Sequence, residues 1–195
     1  MKRLLSTALV LFLAACASEP TIQTGPDAEV TFDGLVRIDN SAFTNAWVDP
    51  DVDLTRYTKI MPGGAEFEFR AVKKSNSTAM TRVLRGSEFW ISDENREKIR
   101  EIVTLAFREE LLRSESFEFA NTRGADTLII VGGLHDIVSR VPPDIAGRGE
   151  IFLSSVGEAT LILEARDSLS NEVIYRAVDR RSGEQAAARI LQTDA

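Results

Sequence analysis

Two runs of alternating apolar residues in the last third of the chain, separated by a turn, constrain its fold more than any other feature. Ala159, Leu161, Leu163 and Ala165 occupy one side of an extended run, and Val173, Tyr175 and Ala177 repeat the pattern. A period of two places such residues on one face of a strand. Between them lies Asp167-Ser-Leu-Ser-Asn171, whose short polar side chains favour turns by bonding to their own backbone. An antiparallel hairpin is the natural geometry.

Other segments supply the rest of a sheet and its cover. Leu35, Val36, Ile38, Phe43, Trp47 and Val48 read as turns and short extended pieces, and Tyr57 to Met61 reads as a strand halted by Pro62-Gly63-Gly64. Phe67, Phe69 and Ala71 then share one strand face, opposite Glu66, Glu68 and Arg70. Ser92 is an N-cap, with Asp93 and Glu94 in the first turn that follows. Ile99, Ile102, Val103, Ala106, Phe107 and Leu111 recur at helical spacing, giving an amphipathic helix over about 93–113 supported by Glu94-Lys98 and Glu109-Arg113 pairs. Phe117 to Phe119 is a short strand. Thr127 to Val131 is a buried one, which resumes at Leu134 to Val138 after Gly132-Gly133, a bulge or a close strand contact. Ser182 caps a short terminal helix carrying Ala186, Ala187, Ile190 and Leu191. The expected fold class is α/β: a mixed or mainly antiparallel sheet packed against one long helix and a short C-terminal helix.

At the start, Lys2 and Arg3 precede an apolar run from Leu4 to Ala15, too short for the roughly 20 residues of a membrane-spanning helix but suited to an export signal. It ends in Leu13-Ala14-Ala15-Cys16, and Cys16 is the only cysteine. Small residues before the thiol admit a peptidase, and the thiol can take up lipid. This is the processing pattern of a bacterial lipoprotein. A single acyl chain holds a protein to a membrane only marginally, whereas two or more, at about 0.8 kcal/mol per buried CH₂, anchor it stably. The expected organisation is a signal peptide at 1–15, a lipid-anchored tether at 16–30 rich in Pro, Gly and Thr, and one domain at 31–195. Ala17, in place of the aspartate that favours inner-membrane retention, points to the outer membrane, with the domain in the periplasm.

Charge and composition exclude other classes. Loss of residues 1–15 removes two cations and no acid, moving the formal net charge from -7 to -9. Such a surface has no overall attraction for nucleic acid. His135 is the sole histidine, near Asp126, Asp136 and the more distant Asp144. A zinc site usually draws on several histidines or cysteines, so no metal or cofactor is expected. Ser154 and Ser155 lack a nucleophile-elbow setting, and neither a dinucleotide nor a phosphate-loop glycine motif is present.

Several stretches resemble the bacterial lipoprotein family called domain of unknown function 3313. They are Asp33-Gly-Leu-Val-Arg-Ile-Asp39, Asp53-Leu-Thr-Arg-Tyr-Thr-Lys-Ile60, Glu88-Phe-Trp90 and, more specifically, Val156-Gly-Glu-Ala-Thr160, Asp167-Ser-Leu-Ser-Asn-Glu-Val173 and Ala177-Val-Asp-Arg180. The resemblance spans most of the mature chain and implies an envelope location, with no reaction or ligand attached.

The resulting expectation is an envelope lipoprotein held to the membrane through Cys16, without catalysis, that binds another envelope protein. Trp47 and Trp90, if they lie together on an exposed patch, would mark the interface. Two alternatives stay open. One is a carrier of lipid or another small ligand, which needs an apolar cavity between helix and sheet. The other is an envelope hydrolase using two carboxylates among Glu158, Glu164, Asp167 and Asp179. The basic group Arg176, Arg180 and Arg181 reads as surface ion pairing.

Overall fold

The terminal hairpin is the centre of an eight-stranded sheet. The computed structural model describes residues 18–73, 88–141 and 155–184. In chain order the strands are β1 (Thr21–Ile22), β2 (Val36–Asp39), β3 (Asn45–Val48), β4 (Lys59–Phe69), β5 (Glu118–Phe119), β6 (Thr127–Ser139), β7 (Ser155–Asp167) and β8 (Val173–Glu184), and among the described residues one long helix, α1 (Asp93–Leu112), lies between β4 and β5. The spatial order is β1-β2-β3-β8-β7-β6-β4-β5. β4 runs parallel to β5 and β6, and the remaining pairs are antiparallel. Parallel strands need a long crossover, and α1 provides the one from β4 towards β6.

The hairpin register sets Leu163 against Ala177 and Ala165 against Tyr175. Ala165 and Ala177 are buried, as the alternation requires. On the other side of β7, Ala165 faces Ile130. The core joins Tyr57, Ile60, Leu128, Ala165 and Ile174, with Leu111 and Phe117 packed against it.

α1 begins where the sequence places it. Ser92 Oγ accepts from the Asn95 N–H at 3.3 Å, and Asp93 and Glu94 fill the first turn. Ile99, Val103, Phe107 and Leu111, spaced by four, are half-buried. Ile102, which the spacing assigns to the same face, is 65% exposed, so the packed stripe is narrower than the apolar pattern. Lys98 pairs with Glu94 at 2.7 Å, but Arg113 pairs with Glu110 and not Glu109.

Glycines explain how helix and sheet approach. A Cβ on Gly132 would stand 3.3 Å from the Phe107 ring, so this glycine lets α1 sit close to β6. It marks helix contact, and the bulge of β6 lies further on, between His135 and Val138, where Asp136 takes φ 54°. Pro62-Gly63-Gly64 does not end a strand. β4 passes through it with a register shift between Pro62 and Gly64. Proline lacks an N–H and is tolerated on an edge, and glycine absorbs the extra residue.

Two other expectations change. Thr21 and Ile22, assigned to the tether, pair with Asp39 and Ile38, and Val30 bridges to Val36. Backbone pairing holds this segment, helped by the Gln23 side chain, which donates to Asp39 and accepts from the Glu29 N–H. Such contacts leave no apolar pattern to read. Ser182 lies within β8 and does not cap a helix, because pairing with Glu158 extends the hairpin past the apolar run. The rest of the expected terminal helix, 186–191, lies outside the described residues, as do residues 1–17 and the 142–154 connection.

A Cβ on Gly63 would stand 2.3 Å from Ile129 Cγ2 and 2.8 Å from Val131 Cγ2, both on branched side chains in the neighbouring strand. Gly63→Ala is expected to cost about 1–3 kcal/mol by overpacking. Urea unfolding should show a lower midpoint with an unchanged slope.

Candidate functional site

A buried, heavily bonded carboxylate stands where the hairpin turns. Asp167 is 6% exposed at the end of β7. Its Oδ1 accepts the backbone N–H groups of Leu169 and Ser170 at 2.8 and 2.9 Å, and its Oδ2 accepts from the Tyr57 hydroxyl and the Arg56 guanidinium at 2.8 Å each. Donation from the Ser170 N–H is the largest effect on its pKa. Burial opposes it, while Tyr57, Leu169 and Arg56 add to it, and the carboxyl falls to about 2. Next to it Ser168, fully buried, donates to the Gly124 carbonyl at 2.7 Å and accepts the Gly124 N–H at 3.0 Å. One turn therefore ties together the segments before β4, before β6 and between β7 and β8. The sequence marked Asp167-Ser-Leu-Ser-Asn171 as a turn, but its distant partners had no local signal.

The remaining carboxylates considered for hydrolysis are separated. Glu158 accepts from Arg140 and from Arg180, the latter at 2.9 Å. Glu164 lies between Arg166 and Arg176, with Arg176 Nε at 2.7 Å. Asp179 accepts from the Thr44 hydroxyl and from Arg181 Nε at 2.6 Å. For Glu158 the Arg140 and Arg180 donors lower the pKa, for Asp179 the Thr44 and Arg181 donors do, and for Glu164 burial raises it but Arg176 and Arg166 outweigh burial. All four candidate carboxylates are thus held below the ordinary range. A general acid at neutral pH needs the opposite shift.

Their partners account for the basic cluster. Arg176 also binds Asp33 at 2.7 Å, and Arg180 binds Asp136 at 2.9 Å. Arg70 joins Asp136 to Glu88, and its donation is the largest cause lowering the Asp136 pKa. These side chains lace together strands that are distant in sequence.

His135 lies on β6 with Nδ1 3.0 Å from Glu68 Oε2, while Asp136 is turned away to the arginines and Asp126 pairs with Lys59 at 2.7 Å. Asp144 lies outside the described residues. Among the described residues no group of three or more His, Cys, Asp or Glu is placed to hold a metal ion, and no helix is long and apolar enough to cross a membrane. Cys16 too lies outside them.

Trp47 and Trp90 do not form a joint patch. Trp47 is half-buried on β3 beneath Arg37, 5.4 Å from its ring centroid. Trp90 follows Phe89, which bridges to Ser139 at the far end of β6. Four strand spacings lie between β3 and that lane, roughly 19 Å at about 4.8 Å each.

A groove of about 400 Å³ opens between α1 and the β4–β5 edge. Met61, Pro62, Ala65, Phe107 and Phe119 give it apolar walls, with Thr104 and Arg108 from the helix. Its size falls in the range of small-molecule sites.

No family model matches the chain. No curated protein matches it either. Among solved structures it is similar to the dodecamer of a PelC variant from Paraburkholderia phytofirmans, at 10% identity and TM-score 0.31, covering 69% of this chain and 76% of that one. It is also similar to a chain from Helicobacter pylori described as a neuraminyllactose-binding hemagglutinin homologue, at 15% identity and TM-score 0.33, covering 71% of each chain. Similarity at this level says nothing about what the present chain binds.

Because the Asp167 carboxyl is lowered to about 2, its contribution to stability is complete above the ordinary value of 3.8 and is lost as pH falls from about 4 through 2. Asp167→Asn is expected to cost about 2 kcal/mol at neutral pH. In urea titrations the wild-type advantage should shrink steadily between about pH 4 and pH 2.

Proposed function

We propose that the chain is a lipid-anchored accessory protein of the bacterial envelope, held to the outer membrane by acyl chains on Cys16, with a non-catalytic domain that binds another envelope component. The observation that carries this reading is the run Leu13-Ala14-Ala15-Cys16 after a short apolar segment with a basic flank, in a chain with no other cysteine. The resemblance to the lipoprotein family of domain of unknown function 3313 belongs to the same proposal.

The fold adds a physical consequence. Five residue steps separate Cys16 from Thr21, where β1 begins. At no more than about 3.6 Å per residue the anchor reaches roughly 18 Å from the sheet. A domain so tethered stays against the bilayer surface and works on partners found there. The lowered pKa values of Glu158, Glu164, Asp167 and Asp179 support a binding role over acid-catalysed hydrolysis.

The apolar groove beside Phe107 supports a second reading, a carrier of a small apolar ligand. Native mass spectrometry of protein taken from membranes would show bound mass beyond the covalent lipid, and Ala65→Trp, which fills the groove, would remove it.

The anchor is tested by intact mass and fractionation. Wild-type protein is expected in the membrane fraction with acyl mass on Cys16, and Cys16→Ala in the soluble fraction. An unmodified thiol on a freely soluble mature chain would overturn the proposal.

A further inference from the structure

Arg108 is the sole charged residue among those that line the apolar groove beside α1. The other cations of α1 each meet an acid about one turn away: Arg96 meets Asp93, Lys98 meets Glu94 and Arg100 meets Glu97. Arg108 has Thr104, Leu105, Leu111 and Leu112 at those spacings, and among the described residues it has no acidic partner. In a chain of net charge -7, where acids outnumber cations, an arginine left without one is exceptional on this helix. The Thr104 hydroxyl and the Asn121 side chain line the groove too, and neither makes a side-chain hydrogen bond among the described residues.

The groove exists because β5 is short. It pairs with β4 only at Lys59 and Ile60, so the stretch from Met61 to Ala65 keeps an edge that β5 does not cover. Gly64 adds no side chain there, and its φ of 114° disfavours the residues that would. Phe107, seated over Gly132, forms an inner wall. Thr104 and Arg108 are four positions apart, so hydroxyl and guanidinium share one stripe of α1 at the side of this apolar surface.

We propose that the groove binds a single-chain carboxylic acid, with the carboxylate on Arg108 and Thr104 and the hydrocarbon chain against Met61, Phe107 and Phe119. The inference rests on the reading of the groove as a carrier site and adds the acid to it. Arg108 selects the occupant. A neutral chain would leave the guanidinium to water, a cationic one would be repelled by it, and a carboxylate matches its planar fork with two parallel hydrogen bonds. A volume of about 400 Å³ is near the lower end of small-molecule sites, which favours one chain over two.

The test uses the mature chain, residues 16–195, with Cys16→Ala so that no acyl group competes, stripped of bound lipid. Calorimetry compares dodecanoate with dodecyltrimethylammonium, both below their micelle concentrations, which share a chain length and differ in the charge of the head. Dodecanoate is expected to bind about tenfold more tightly. Arg108→Gln should weaken dodecanoate about tenfold, with an unchanged melting temperature and no loss for the cation. Arg113→Gln, which removes a cation paired with Glu110 outside the groove, should leave both affinities unaltered. Ala65→Trp should remove both. Equal affinity for the two amphiphiles, or equal dodecanoate affinity in wild type and Arg108→Gln, with binding still lost in Ala65→Trp, would overturn the acid proposal and leave the carrier reading standing. A loss from Arg113→Gln equal to that from Arg108→Gln would overturn the proposal too, because overall charge would then account for the preference. Binding of neither amphiphile would remove the carrier reading and the proposal together.

Discussion

The buried carboxylate of Asp167 is the interaction on which the arrangement of this sheet depends. A hairpin by itself fixes only two strands relative to each other. Here its turn captures Tyr57 and Arg56 ahead of β4, while the adjoining Ser168 captures Gly124 ahead of β6. Four long strands are thereby aligned at one end, two of them parallel neighbours with no hairpin between them. Burying a carboxylate is costly unless its lone pairs are met, and the four donors around Asp167 meet them. Removing one partner would leave a buried charge under-satisfied, which is why this corner is exacting where the surface ion pairs are tolerant.

Much of the fold was legible in local pattern. The hairpin, the helix cap at Ser92 and the strand from Thr127 to Val131, buried over its first three residues, each follow from a period or a capping chemistry contained within a few residues. What escaped was non-local. β1 is held by backbone and by Gln23, so its composition resembles a linker. Pro62-Gly63-Gly64 looks like a stop because proline and glycine punctuate most chains, but an edge position with a bulge accommodates both. Gly132 faces Phe107, some 25 positions away, and no local rule couples them. At the candidate site, the carboxylates and arginines were each visible, but their pairing depends on which strands become neighbours. Ile102 shows the reverse error: helical spacing identified an apolar residue that the sheet does not cover.

Those pairings also bear on function. Carboxylates held below their ordinary range by arginines, hydroxyls or backbone N–H groups brace the scaffold. The groove beside α1 and the loop end carrying Phe32 are on different parts of the sheet. A braced sheet and a separate apolar groove suit the proposed role, a domain that engages a partner through binding with lipid on Cys16 as its proposed anchor.

The most direct measurement of the corner is amide hydrogen exchange at Leu169 and Ser170. Both residues have exposed side chains in a surface turn, yet both N–H groups donate to Asp167. The account predicts that these two amides exchange far more slowly than those of an open loop, and that Asp167→Ala abolishes their protection together with that of the Ser168 N–H bound to Thr127. Exchange at the rate of an unstructured peptide in the wild-type protein would contradict it.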